Sequence, residues 1–166
     1  MGYDYTQPGA YFVTICTRDR VCLFGEVVGG QMQLNELGRL VEWTWQDLSN
    51  HVANIVLDAF VVMPNHVHGI IIIVGAGSEP APTTKQYGLP EIVRQFKTFS
   101  ALRINEQRGT PGAPVWQRNY YEHIIRTEDS LARIREYIAG NPLRWHLDRE
   151  NPQAIGEDDL WNRLFM

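Results

Sequence analysis

The five β-branched residues Ile70-Ile71-Ile72-Ile73-Val74 constrain this chain more than any other stretch, because their stiff side chains favour pleated backbone and bury readily on both faces of a sheet. A second apolar run, Phe60-Val61-Val62-Met63, precedes them, and Pro64-Asn65-His66-Val67-His68-Gly69 joins the two. The pattern reads as two strands, Ile55 to Met63 and Asn65 to Val74, bent at Pro64-Asn65. Strand side chains repeat every two residues, so His66 and His68 share a face, about 6.6 Å apart at roughly 3.3 Å per residue. Two imidazoles so placed can bind one ion. Read as structure alone, they are strand-edge histidines held by hydrogen bonds. Pattern leaves open whether they lie in the strand proper or on its first residues.

At 166 residues and 44% apolar composition, the chain can hold one well-buried core and is too short for two ordinary domains. Residues 1–150 read as that domain. Residues 151–166 read as an acidic tail whose core signals are Leu160, Trp161, Leu164 and Phe165, which either dock or leave it disordered. No stretch reaches the roughly 18 to 20 apolar residues of a membrane helix, and Met1 to Tyr5 lacks a signal-like core, so a soluble, cytoplasmic protein is expected. Cys16 and Cys22 stand alone without a Cys-x-x-Cys arrangement, which indicates neither a zinc ribbon nor a disulfide framework.

The net charge of −4 argues against a polyanionic partner until its distribution is considered. Between Arg94 and Arg149 there are ten basic and six acidic side chains, and nine of the ten are arginine, the residue suited to bidentate phosphate contact. A polyanion responds to local charge. The alternative is a solvated helical face. Arg94, Lys97, Arg103, Arg118 and Arg126 are the candidate contacts to such a polyanion, and Trp116 can stack on an unpaired base or serve as core.

Along the chain, Tyr11 to Thr17 reads as the first strand, and Phe24 to Val28 with Gln31 to Leu34 as a hairpin about Gly29-Gly30. Asn35 caps a helix running to about Asn50, with Leu37, Leu40, Val41, Trp45 and Leu48 on one face. After the two central strands, residues 75–86 read as a mobile loop, and Pro90 opens a helix that stops at Arg108-Gly109. Val115 to Arg118 and Tyr120 to Ile125 are extended, and Thr127 or Asp129 starts a last helix ending at Gly140-Asn141-Pro142. This order predicts an α+β, ferredoxin-like (RRM-like) sandwich: an antiparallel sheet with helices on one face, plus an extra C-terminal helix.

On that last helix Tyr137 and Asn141 are four apart and fall within about 40° of each other around the axis. Tyr137 flanks the stripe Leu131/Ile134/Ile138, so its hydroxyl is expected at the edge of the core. An amide oxygen from Asn141 can join two imidazoles on a divalent ion and leave positions open for a phosphate. Tyr137 is then a candidate nucleophile, and its phenol, with a pKa near 10, must lose its proton as it attacks. Tyr120 and Tyr121 are rivals, but lie in an extended stretch with alternating faces. His123 or Glu122 can act as a group behind the ligands or as the third ligand itself.

Taken together, the stretches Tyr5 to Thr14, Val62-Met63-Pro64-Asn65-His66-Val67-His68-Gly69, Phe96-Lys97, Trp116 to Arg126 and Tyr137-Ile138 with Asn141-Pro142 resemble the HUH single-strand DNA endonucleases with one tyrosine, and most of all the REP-associated tyrosine transposases of bacteria. The resemblance implies that His66 and His68 are the HUH metal ligands with Asn141 as the third, and that Tyr137 is the nucleophile. It further implies Mg²⁺- or Mn²⁺-dependent nicking of single-stranded DNA through a 5′-phosphotyrosyl intermediate, on hairpins of the REP type, by a nucleoid-associated monomer or homodimer. Two other readings share the pattern: a sheet that binds single strands without cutting, and a metal-dependent phosphodiesterase that uses water. No RNP-like run is present to favour the first.

Because neutralised phosphates release counterions, binding of a single-stranded oligonucleotide should weaken steeply between 50 and 200 mM salt. A flat response in an anisotropy titration would remove the arginine-rich segment from the DNA backbone.

Overall fold

A computed structural model describes residues 5, 7–75 and 85–166; residues 76–84 of the expected loop lie outside the described residues. Four strands form an antiparallel sheet: β1 (Gly9–Cys16), β4 (Ile55–Met63), β5 (His66–Ile73) and β6 (Tyr121–Ile125), in the order β4-β5-β1-β6. The ribbon β2 (Gly25–Val28) and β3 (Gln31–Leu34) turns about Gly29 and Gly30, both at positive φ. The helices are α1 (Glu36–His51), α2 (Leu89–Arg108), α3 (Glu128–Ala139) and α4 (Asp159–Phe165). The expected helix ends follow local chemistry. The Asn35 and Thr127 side chains accept from the backbone N–H of Gly38 and Ser130, and Gly109 takes the left-handed conformation that ends α2. Among the described residues no helix is long and apolar enough to cross a membrane.

Strand alternation divides the core in two. Tyr11, Val13 and Ile15 of β1 and Val67, Ile71 and Ile73 of β5 pack against Val41, Trp45 and Leu48 of α1 and Ile92, Val93 and Phe96 of α2. Phe12 and Ile70 point the other way, towards Ile134, Tyr137 and Ile138 of α3 and Trp161 of α4. With both faces covered, the central strands need apolar residues at odd and even positions alike, which is why Ile70–Ile73 shows no alternation. Arg135 of α3 makes a bidentate contact with Asp58 of β4 (2.8 and 2.7 Å), at the irregularity between Leu57 and Phe60.

Two alternatives left open by the sequence are resolved by packing. Residues 151–166 fold back on the sheet: Asp158 caps α4, and Trp161 is buried among Phe12, Tyr121 and Tyr137. The apolar residues Leu160, Trp161, Leu164 and Phe165 recur at helical spacing, and burying them covers a face that would otherwise leave Phe12 and Ile70 in water. Trp116 is core. Its ring lies against Phe24 and Phe96, its Nε1–H donates to Ser100 Oγ (2.9 Å), and Thr17 pairs with it across a β-bridge, so most of the ring is packed in the core and only an edge borders the surface depression beside Arg118.

Gly69 sits on the first face, where Trp45 stacks on Phe60 with ring centroids 4.4 Å apart. A Cβ there would come within 2.5 Å of the Trp45 ring. Gly69→Ala should cost roughly 1 to 3 kcal/mol in urea unfolding, with a change in tryptophan emission. An unchanged midpoint would show that the Trp45 stack does not depend on this contact.

Candidate metal centre

His66 and His68 are the first and third residues of β5, opposite Cys16 and Thr14 of β1, on the face covered by α3 and α4. Their Nε2 atoms lie 3.1 Å apart. Each Nδ1 is anchored behind: His66 to Asn65 Oδ1 and His68 to Thr14 Oγ1, both at 2.8 Å. Asn65 Nδ2 donates to the carbonyls of Arg20 (3.1 Å) and Glu150 (2.7 Å), so Oδ1 is the atom turned to His66, and His66 Nδ1 must carry the hydrogen. The Nε2 lone pair of His66 is thereby directed into the site. The Thr14 hydroxyl can donate or accept, so it supports either tautomer of His68. Burial lowers the His66 pKa to about 4, and lowers that of His68 well below the ordinary range with help from the His66, Arg144 and Arg149 charges. Both rings are neutral at pH 7, the state a metal requires.

The third group is Asp148, which follows the 3₁₀ turn Pro142–Leu147. Its Oδ2 is 3.5 Å from His66 Nε2, and ligand atoms of His66, His68 and Asp148 lie within 4.8 Å of one another. Burial raises the Asp148 carboxyl to about 6, with Asp158 adding to the rise and the Glu150 N–H, Arg144 and Arg149 opposing it. Sequence reading missed Asp148: it belongs to no periodic pattern and stands in the charged run before the tail, so nothing local marked it. Asn141 is also buried, one turn beyond Tyr137; its side-chain amide lies close enough to the His66 ring and the Tyr137 phenol to influence both, yet neither Oδ1 nor Nδ2 completes a hydrogen bond of good geometry. A buried amide held that loosely is one that an ion or its bound water would satisfy. Two imidazole nitrogens, a carboxylate and an amide oxygen fit a divalent ion.

Tyr137 lies on the inner side of α3 with its ring centroid 5.5 Å from that of His68. The expectation that its hydroxyl emerges at the core edge does not hold: the residue is 2% exposed, under Trp161 and Phe165 of α4. Burial drives the phenol pKa well above its usual value, Asp148 and Asp158 add to the rise, and Asn141 and Arg144 oppose it. A depression of about 360 Å³, lined by Leu147, Arg149, Asp158 and Trp161 among others, reaches Tyr137 from the surface. Of the rival phenols, Tyr120 lies near Lys97 on the far side of the sheet from the histidines. Tyr121 shares their face, but pairs with Thr14 from β6, two strands from β5.

The remaining candidates are dispersed. His123 is opposite Phe12, on the histidine face, and meets the Phe165 ring at 5.2 Å; Glu122 is opposite Val13, so alternation turns it to the first face and away from His66 and His68. Arg94 is exposed and paired with Glu91, and Lys97 donates to the carbonyls of Gln117, Arg118 and Asn119. Arg103 binds Thr44 and Asp47 over the Trp43 ring. Arg118 lines an open depression with Arg18 and Arg20, the last of which pairs with Glu150 beside Asp148. Arg126 is exposed just past β6.

The family model of IS200-like transposases matches residues 44–141, a span that holds His66, His68, Tyr137 and Asn141 and ends before Asp148. An uncharacterised protein of Haemophilus influenzae is 40% identical over 160 residues, covering 89% of this chain and 87% of that protein. A second H. influenzae protein, provisionally named a REP-associated tyrosine transposase, is 25% identical over 142 residues, covering 85% and 74%. In structure the chain is similar to a REP-associated tyrosine transposase solved bound to a REP hairpin, with a TM-score of 0.57 and 19% identity over 87% of this chain and 72% of that one.

The two imidazoles remain neutral in the fold but charge in the unfolded chain below pH 6.5, so the unfolded state gains protons and stability falls as pH drops from about 6.5 towards 4. Asp148 acts oppositely: folded, it holds a proton up to about 6, above its ordinary 3.8, and so adds stability as pH falls through 6. Two groups oppose one. In EDTA, Tm should fall from pH 7 to 5, with a shallower fall in His68→Gln and a steeper one in Asp148→Asn, and Mn²⁺ at pH 7 should raise the Tm of wild type alone. A Tm in EDTA that does not change with pH would contradict the burial of the pair.

Proposed function

The chain belongs to the IS200-like transposase family, and from that premise we propose that it nicks and rejoins single-stranded DNA with Tyr137 as nucleophile. The observation that carries this reading is the meeting of residues remote in sequence: the Tyr137 ring 5.5 Å from that of His68, whose Nε2 is 3.1 Å from His66 Nε2. The strand order β4-β5-β1-β6, with α1 and α2 on one face and α3 on the other, supports reading the fold as ferredoxin-like.

In this reading His66, His68 and Asp148, joined by Asn141, would hold Mg²⁺ or Mn²⁺, which when bound would supply charge withdrawal from the phosphodiester. Tyr137 Oη bonds to phosphorus, the bond to the 3′-oxygen breaks, and the phenolic proton is made up on the departing 3′-hydroxyl. The product is a 5′-phosphotyrosyl strand with a free 3′ end, and attack by a 3′-hydroxyl reverses the step and makes the overall process strand transfer. Anchoring by Asn65 and Thr14 keeps both imidazole rings fixed, so no reorganisation is needed when substrate arrives. Trp161 and Phe165 lie over Tyr137, so the strand reaches the phenol once α4 moves aside. The substrate class, single-stranded DNA that folds into a hairpin, is supported by the REP hairpin to which the structural relative is bound.

Burial of Tyr137 favours one competing reading, a phosphodiesterase that activates water at the same ion. Incubation with a labelled single-stranded hairpin and Mn²⁺, followed by a denaturing gel, separates the two. The tyrosine enzyme gives an adduct that survives SDS, is lost in EDTA and in Tyr137→Phe, and persists in Tyr121→Phe, while Tyr137→Phe still binds the hairpin. Cleavage without adduct that persists in Tyr137→Phe would establish the water mechanism.

A further inference from the structure

Arg144 lies in the 3₁₀ turn between Asn141 and Asp148 with its side chain 24% exposed. Its Nη2 donates to the Tyr137 carbonyl (2.9 Å), its guanidinium carbon is 4.9 Å from the centre of the Tyr137 ring, and its Nε approaches Asp158 Oδ2 (3.3 Å). Space for the head is built in. A Cβ at Gly140 would come within 2.8 Å of Arg144 Nη1, although φ at Gly140 is −87°, a value any residue adopts. A side chain there would crowd the movable end of Arg144 and displace its guanidinium head. Asp158 is nearly buried, caps α4 through its other oxygen, and lines the depression that reaches Tyr137.

A guanidinium grips carboxylate and phosphate with the same planar set of donors, so the two anions compete for one place. Resting on the cleavage reading above, we propose that Arg144 is the binding site for a non-bridging oxygen of the phosphodiester that Tyr137 attacks, and that the Asp158 carboxylate fills this anion position until α4 lifts. Departure of α4 would in one movement uncover the phenol and vacate the guanidinium.

The test is a cycle between residue and phosphate charge. Wild type first maps the cleaved linkage with Mn²⁺; binding is then measured in EDTA, so that no metal contributes, in a Tyr137→Phe background with an oligonucleotide carrying either a phosphodiester or a neutral methylphosphonate at that linkage. With Arg144 present, neutralising the linkage should weaken binding about tenfold or more, the usual size of a charge-assisted contact. In Arg144→Gln the two oligonucleotides should bind within about twofold, and Arg144→Lys should restore part of the difference. Asp158→Asn, which keeps the helix cap, should tighten binding of the phosphodiester strand, and should lose that gain when combined with Arg144→Gln. An equal methylphosphonate effect with and without Arg144, or weaker binding in Asp158→Asn, overturns the assignment while adduct formation by wild type leaves the cleavage reading intact. If wild type forms no adduct, the cleavage reading falls and this proposal falls with it.

Discussion

The second face of the sheet depends on keeping two neutral imidazoles in a dry interior with their Nε2 atoms 3.1 Å apart. Burial alone would favour apolar residues at both positions, and a buried ring nitrogen without a partner is costly. The chain resolves this with side chains fixed by backbone. Asn65, one residue ahead of the pair, bonds His66 and the carbonyls of Arg20 and Glu150, so a single amide joins the turn after β1, the β4–β5 turn and the segment after Asp148. Neither Pro64 nor Asn65 has positive φ, so the turn is not one of the mirror-image types usual in two-residue hairpins, and the side-chain bonds of Asn65 take part in holding its shape.

Charge around this centre is arranged in opposition. On top of burial, which is the largest influence on both groups, Asp148 and Asp158 raise the proton affinity of Tyr137, whereas Arg144 lowers it and adds to keeping the His68 ring neutral. Without a positive ion the balance leaves the phenol protonated and covered and the Asp148 carboxyl close to half-protonated near pH 6. A bound cation would shift each of these groups towards its ionised form, which on the proposed reading would couple metal binding to activation of the phenol. The cover is the aromatic stack of Phe12, Trp161 and Phe165, with Phe165 parallel to Phe12 at 4.5 Å, so the helix furthest along the chain closes on the strand nearest its start.

Local signals were legible where local physics decides. The caps at Asn35 and Thr127, the left-handed Gly109 and the Gly29-Gly30 ribbon each depend on neighbours within a few residues. Counting charges along the chain was less informative. Arg103 is satisfied by Asp47, fifty-six positions away, and Lys97 by three carbonyls of an extended segment, so two expected DNA contacts are engaged within the protein. Trp116 carries the same aromatic signal whether it stacks on a base or fills a core, and its neighbours Phe24 and Phe96 are distant in sequence.

The sequence by itself determined that two histidines would share one face of a buried strand, because a period of two residues allows nothing else, and that Tyr137 and Asn141 would share one side of a helix. Only the tertiary structure decided that these two pairs face each other, that Asp148 joins them and that α4 covers them. Those outcomes depend on how the chain reverses after Pro142 and on which sheet face needs covering, and both are set by packing between segments that no local pattern connects.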